Sequence, residues 1–295
     1  MTITPTVSEA IEASVLFLET TTHFEPSHDE DSRHKWNGAW WHMAALHELG
    51  EVRRIPASAI AQAKRLLGTR VWPTFVIADS DGPSRTQDLD KWDCCHCELA
   101  VFYGVLQAYG CDLDAEMPWI RDWLLNHQLP DGGLNCDPDA YVHSRKSSIV
   151  STLPPLEAIL RHTDRPFTER EKAFLDAGAR YLIEHRLVCF RSSGEVINAD
   201  WLKPCFPRFF EYDILRGLSF LTEWAEKRGK LLPAKFAEQA LERVQPALAG
   251  DSVRIGRQVW DADGEWGGET FALLDALAGV GKVSEPLSRQ LNAMR

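Results

Sequence analysis

The chain has 295 residues, of which 44% are hydrophobic and 25% charged, the balance of a globular protein with ample core. Its 32 basic against 43 acidic residues give a net charge of −11. That excess argues against a nucleic-acid partner, which needs a basic face to displace counterions, and against attraction to an anionic membrane surface. No apolar run approaches the roughly 18 residues of a membrane span, and Met1–Ser8 has neither a basic n-region nor a long apolar h-region, so no span and no secretory signal are expected.

Taken in chain order, charged amphipathic helices are predicted at about Ser8–Thr20, Pro56–Gly68, Pro118–His127, Thr168–His185, Pro233–Ala249 and Ser284–Met294. Between them recurs a small, apolar helical segment ending in a Leu-x-x-Leu-like pair: Leu46/Leu49, Tyr103/Leu106, Leu156/Ile159, Leu218/Leu221 and Leu274/Leu277. The second members lie 57, 53, 62 and 56 residues apart. Val71–Ile77 is the best strand candidate, and Pro73 demotes it to an extended connector. A unit of two helices cannot bury its apolar face alone, so such units must stack. Stacked units that curve round close into an α/α toroid, with the apolar helices lining a central funnel and the charged ones forming a solvated rim. An open superhelical array is the competing geometry. The contrast between small, aromatic, oddly polar inner helices and Lys/Glu-rich outer ones favours the toroid.

Five segments carry candidate chemistry. Trp36-Asn-Gly-Ala-Trp40-Trp41-His42 opens the first inner helix, where Trp40 and His42 can line the funnel for an apolar or cationic guest, and where core packing explains the tryptophans as well. His34 and His42 are spare ligand candidates without supporting spacing. Asp93-Cys94-Cys95-His96-Cys97 puts five potential metal ligands, an Asp, a His and three Cys, into five residues at the start of the second inner helix. Three of the seven cysteines are adjacent there, which reads as reduced thiols in a cytoplasmic protein and not as a spaced disulfide framework. On a helix Asp93 and Cys97 share a face, whereas Asp93 with Cys95 requires Asp93 to be the N-cap. Local spacing cannot close a metal site, so a distant ligand is needed. His143 and Cys136, after the Gly132-Gly133 turn, are the candidates; His143 can alternatively be an acid/base near neutral pH, or simply a surface-loop histidine beside Arg145 and Lys146.

Ser147, Ser148, Ser151 and Thr152 set four hydroxyls on the third inner helix, either bonded back to the backbone or forming a polar patch on the cavity wall. Glu211-Tyr212-Asp213 begins the fourth. A carboxyl there facing a desolvated funnel has a raised pKa and can donate a proton, with Tyr212 orienting substrate, whereas the bland alternative is a capped helix with an Asp213/Arg216 pair. No Gly-rich phosphate loop and no G-x-S-x-G elbow occurs, so no nucleotide cofactor is indicated.

Gln128-Leu-Pro-Asp131-Gly132-Gly133-Leu134 resembles the Q-x-x-D-G-x-W repeat of squalene cyclases and related prenyltransferases, with Leu in place of Trp, and Gln258 to Trp266 is a looser copy. Residues 147–157 and 206–218 are similar to inner helices of small bacterial prenyltransferase/squalene-oxidase-repeat proteins, and the resemblance covers about residues 35–280. It implies an all-α fold, an α/α toroid of about five to six helical hairpins around an apolar cavity. Cyclases of this kind protonate an alkene with a D-x-D-D motif. Asp88/Asp90, Asp112/Asp114 and Asp261/Asp263 are each followed by a non-acidic residue, which disfavours that activity. Protein prenyltransferase β subunits hold zinc by a D-x-C pair, matched by Asp93 and Cys95, and a His from a later inner helix. The position similar to that His is near Ser151-Thr152, so His143 or Cys136 must substitute. Such toroids also work with a separate helical subunit.

The expectation is a single α/α-toroid domain over residues 1–295, a cytoplasmic enzyme acting on a small or isoprenoid-like substrate in a central pocket. Zinc is held by Asp93, Cys95 and His143, with Cys97 or Cys136 in reserve, Asp213 or Glu211 serves as acid/base, and Trp40, His42, Ser148 and Thr152 touch substrate. A metal-free acid-catalysed cyclase or isomerase, and a non-catalytic toroid binding a lipid-like ligand or a helical protein partner, are the alternatives.

Overall fold

The computed structural model describes residues 5–21, 38–69, 71–73, 92–260 and 270–294. His34, Trp36, the Asp88/Asp90 and Asp261/Asp263 pairs and the second repeat's Trp266 lie outside these residues, as does the side chain of Asp93.

The fold is mostly helical. In chain order the helices are α1 (Val7–Thr20), α2 (Ala39–Leu49), α3 (Ala57–Thr69), α4 (His96–Tyr109), α5 (Leu113–Glu116), α6 (Trp119–Asn126), α7 (Ile149–Arg161), α8 (Glu169–Glu184), α9 (Ile214–Arg228), α10 (Ala234–Val244), α11 (Ala272–Leu277) and α12 (Glu285–Ala293). All six charged helices expected from the sequence form, as α1, α3, α6, α8, α10 and α12, and all five Leu-x-x-Leu-like pairs fall in α2, α4, α7, α9 and α11. Their starts are chemically specified. Thr6 and Thr168 form capping boxes with Glu9 and Glu171, each satisfying two otherwise orphaned N–H groups, and Asp213 and Ser284 cap α9 and α12.

Strands are few and short. β1 (Val71–Pro73) pairs in parallel with β2 (Trp92–Cys94), so the segment read as a connector makes a three-residue ladder ending at its proline. β3 (Leu248–Ala249), β4 (Ser252–Arg254) and β5 (Val283–Ser284) form a small antiparallel sheet that carries α12.

The apolar helices pack in chain order: α2 on α4, α4 broadly on α7, and α7 on α9, while α11 returns to α2 and α1. The charged helices lie against them, α6 on α4, α8 on α7 and α9, and α10 and α12 on α9. One connected hydrophobic core runs from Ala10 to Leu291, with Tyr103, Tyr212, Phe220 and Met43 among its largest fully buried side chains. No described helix is long and apolar enough to cross a membrane.

The Gln128–Leu134 segment fastens α6, α7 and α8 together. Gln128 Nε2 donates to the carbonyls of Gly132 and Phe174, and Asp131 accepts from the Gly133 and Ser147 backbone N–H groups and the Ser147 hydroxyl. Gly132 is required twice over: its φ is +99°, and a Cβ there would lie 2.5 Å from the Ala177 carbonyl oxygen. The turn delivers the following residues to the N-terminus of α7. Leu134 and Ser148 pair as an isolated β-bridge, and Thr152 Oγ1 bonds the Leu134 N–H and carbonyl.

Candidate metal centre and central cavity

Three cysteines converge where α4 begins. Cys95 is the N-cap of α4, in extended conformation, and Cys97 sits in its first turn. Residues two apart on a helix face away from each other, but here the pair straddles the helix start, and their Sγ atoms lie 3.0 Å apart. Cys136 comes from the loop after Gly133. Its N–H donates to Ser151 Oγ of α7, and its Sγ lies 3.5 Å from Cys97 Sγ. All three Sγ atoms fall within 4.8 Å of one another, Cys97 buried and the other two half-buried. These are free thiols, well beyond the roughly 2.05 Å of a disulfide.

Hydrogen bonds from the Cys95 and Cys97 thiols, against burial, bring Cys136 down to about 2, while the same sharing and burial push Cys97 and Cys95 up. The N-terminus of α4 adds its positive dipole end to the same spot. The donor set therefore fits a thiophilic cation. Tetrahedral zinc with Zn–S bonds of about 2.3 Å separates its sulfurs by about 3.8 Å; the Cys95–Cys97 and Cys97–Cys136 contacts, 3.0 and 3.5 Å, are somewhat shorter, so the thiols would spread slightly around an ion.

His96, inside the same run, is not part of the group. It is fully buried, its Nδ1 accepts from Trp123 Nε1 at 3.1 Å, and its Nε2 meets the Tyr141 hydroxyl at 3.1 Å. Burial and the neighbouring His127 bring its pKa down to about 3.

His143 does not supply the distant ligand. Residues 140–144 make a single π-turn that carries it outward, 74% exposed, with only Asp139 at 4.0 Å. The structure assembles Cys136, the reserve candidate, in its place. Ser151, in the Ser151-Thr152 stretch near which the resemblance sets a histidine, accepts from the Cys136 N–H.

The residues chosen for acid/base work and substrate contact are used by the fold instead. Asp213 is fully buried, caps α9 and pairs with Arg208 at 2.6 Å. Burial alone would raise it, but the Arg208 guanidinium and the Arg216 and Cys205 N–H groups outweigh burial and hold it below the usual carboxylate range. The pKa expected to rise there therefore falls. Tyr212 donates to the Leu187 carbonyl from within the core, and Glu211 accepts from Arg257 at 3.1 Å. Trp40 stacks on Phe102, and His42 lies between Phe17 and Phe271, with centroids 4.3 and 3.8 Å away. Ser148 caps α7, and Thr152 bonds the Ser148 carbonyl as well as Leu134. None of these seven lines the cavity described next.

That cavity, about 310 Å³, lies between α2, α4, α7, α9 and α12. Its polar wall is His47 and Glu48 of α2, Glu157, Arg161 and His162 of and just after α7, Arg208 and Arg216 around the start of α9, and Gln290 of α12. Arg216 clasps Glu157 with contacts of 2.6, 3.1 and 3.2 Å, and Glu157 sits at about 2 because this guanidinium and Arg161 overcome burial. Glu48 accepts the backbone N–H groups of Arg208 and Phe209, yet burial outweighs them and raises its pKa. Burial also brings His47 and His162 down to about 4, leaving two neutral imidazoles whose centroids are 6.3 Å apart.

The two sites share helix faces. On α4, Cys97 is followed at helical spacing by Ala100, Val101 and Gly104 of the cavity, and on α7 Ser151 is followed by Pro154, Glu157 and Arg161. The sequence contained a signal for the cavity. Glu48 and Glu157 each fall inside a Leu-x-x-Leu-like pair, and Arg216 stands two residues before another, so charges interrupt helices otherwise apolar. No protein-family model matches the chain, and no curated protein matches it.

Proposed function

We propose that the chain is a zinc-dependent enzyme of the α/α-toroid type, related to the prenyltransferase and terpene-cyclase repeat proteins, and that Cys95, Cys97 and Cys136 hold the metal. The observation carrying this reading is the convergence of three thiol sulfurs, from two successive helical repeats, within 4.8 Å. Three protein ligands with a fourth position left for water or substrate is the pattern of a catalytic zinc site. Bound zinc supplies Lewis acidity, polarising a substrate oxygen or lowering the pKa of a bound water or thiol. The toroid is supported by the chain-order packing of α2, α4, α7 and α9 and by the return of α11 onto α2. The cytoplasm, a reducing compartment, is supported by the free thiols.

In this reading the substrate occupies the cavity, one to two turns further along the faces that carry Cys97 and Ser151. Glu48 takes the acid/base place first given to Asp213 and Glu211, because its desolvated carboxyl keeps a proton to higher pH. That same carboxyl favours metal-free acid catalysis as the second reading.

Metal content by mass spectrometry of the purified, untagged protein tests the proposal. The expected result is about one zinc per chain, lost in Cys97→Ser and in Cys136→Ser and kept in His143→Ala. Metal-free protein after purification with zinc present rejects the zinc reading in favour of the metal-free one.

A further inference from the structure

Cys97 is the shared member of two close sulfur contacts, 3.0 Å to Cys95 and 3.5 Å to Cys136. A bond between sulfurs is about 2.05 Å long, so either neighbour is a short displacement from one. The two differ in how freely they can make it. A Cys95–Cys97 bond spans a single residue, His96, and that residue is clamped: it is fully buried, with Nδ1 on Trp123 and Nε2 on the Tyr141 hydroxyl. The Cys95 carbonyl also accepts from the Leu99 N–H as α4 begins. Closing so small a ring pulls against the first turn of the helix.

Cys136 meets Cys97 from 39 positions away, on a loop. That loop is anchored through backbone groups, the Leu134 N–H on Thr152 and the Cys136 N–H on Ser151, which leaves the Cys136 side chain able to turn. A rotation about its Cα–Cβ bond moves Sγ toward Cys97 and breaks no backbone bond. Access follows the same division. Cys97 is only 7% exposed, whereas Cys95 and Cys136 are half-buried, so a small oxidant reaches an outer sulfur first and Cys97 is the thiol beside it.

We propose that Cys97 and Cys136 are a peroxide-responsive modification site that closes to a reversible disulfide. The Cys136 sulfur attacks one oxygen of hydrogen peroxide, the S–O bond forming as the O–O bond breaks, and gives a sulfenic acid and a water. The Cys97 sulfur then attacks the Cys136 sulfur, the S–S bond forming as the S–O bond breaks, and the hydroxide leaves with the Cys97 proton as a second water. Two thiols lose two electrons, and one peroxide is reduced to two waters. Thiol exchange reverses the bond, as in the transient, redox-sensing disulfides of reducing compartments. The pairing rests on the sulfur geometry alone. Its effect on function rests on the zinc reading: the bridge takes two of the three metal donors, so oxidation expels zinc.

The test exposes the full chain, zinc-loaded and chelator-treated, to hydrogen peroxide, blocks the remaining thiols and maps the unreduced peptides by tandem mass spectrometry, with released zinc read by a chromogenic chelator. The Cys97–Cys136 bridge is expected in both preparations, in about tenfold excess over a Cys95–Cys97 bond, and is expected to disappear with dithiothreitol. Zinc release is expected to rise in step with it. Cys189 and Cys205, buried against Arg243 and Asp213, should stay reduced. Wild-type mapping needs no variant to fold, and Cys95→Ser is expected to keep the bridge. A predominant Cys95–Cys97 bond, Cys136 driven to sulfinic acid without a bridge, or thiols left unreacted overturns the proposal; if zinc is bound and lost in Cys136→Ser, the zinc reading stands. A Cys97–Cys136 bridge in protein that binds no zinc does the reverse, supporting the pairing and rejecting the zinc reading.

Discussion

At the scale of single residues, the apolar helices keep charge where their pattern calls for apolar side chains, and each buried charge is held by a specific partner. Arg216 is the clearest case: two carboxylate oxygens of Glu157 and the carbonyls of Phe209 and Glu211 accept from it. Removing one member of a buried pair strands the other, so Glu157→Ala is expected to cost about 3–5 kcal/mol in denaturant unfolding. Acid acts on the same wall. Glu157 titrates at about 2 in the fold against 4.5 for a free glutamate, so its contribution is complete above about pH 4.5 and is lost as pH falls toward 2. His47 and His162 work at higher pH. The fold lowers both from 6.5 to about 4, so between those values the unfolded chain binds protons that the folded one refuses. Stability therefore falls as pH drops from 6.5 to 4, by up to about 1.4 kcal/mol per pH unit for each histidine. Unfolding free energies measured across that range should show the slope, and it should flatten in the His47→Gln/His162→Gln double variant. A flat wild-type profile contradicts the burial assigned to these rings.

Helices and loops differ in how far local sequence specifies them. The charged helices were legible because amphipathic spacing and Ser/Thr/Pro starts are local signals, and the Leu-x-x-Leu-like pairs marked the apolar ones equally well. The two- and three-residue strands have no period to read, and β1 pairs with a partner about twenty residues downstream. The thiol site was half legible. Cys95 and Cys97 stood out in the sequence, but a histidine was preferred to Cys136 as the distant ligand, and only the Gly132-Gly133 turn and the bonds to Ser151 and Thr152 decide which of the two arrives. The same bonds explain why Ser148 and Thr152 hold the loop and not a substrate. Thr152→Val removes the hydroxyl that ties Leu134 to α7 and leaves the helix its shape. It is expected to cost about 1–3 kcal/mol and to weaken metal binding by loosening Cys136, measured as zinc affinity by chelator competition. Unchanged affinity would show that the loop holds its place without that bond.

Across the whole molecule, neither the cavity nor the cluster belongs to one repeat. Cys95 and Cys97 come from one helical pair and Cys136 from the next, and the cavity gathers side chains from α2, α4, α7, α9 and α12. Stacked repeats are what bring such side chains together, since each repeat alone has an apolar face and stray polar groups. The repeat period pointed to that architecture, but it could not say that Glu48, Glu157, Arg161 and Arg216 meet, because they are separated by 109, 4 and 55 positions. In the proposed site three thiolates, two from the start of α4 and one from the loop before α7, hold one metal ion. The most direct test is the absorption spectrum of the cobalt(II)-substituted protein, whose sulfur-to-metal charge-transfer intensity scales with the number of thiolates bound. One tetrahedral cobalt per chain carrying three thiolates is expected, with the intensity falling by about a third in Cys136→Ser. A spectrum without thiolate bands, or one unaltered in Cys136→Ser, would contradict it.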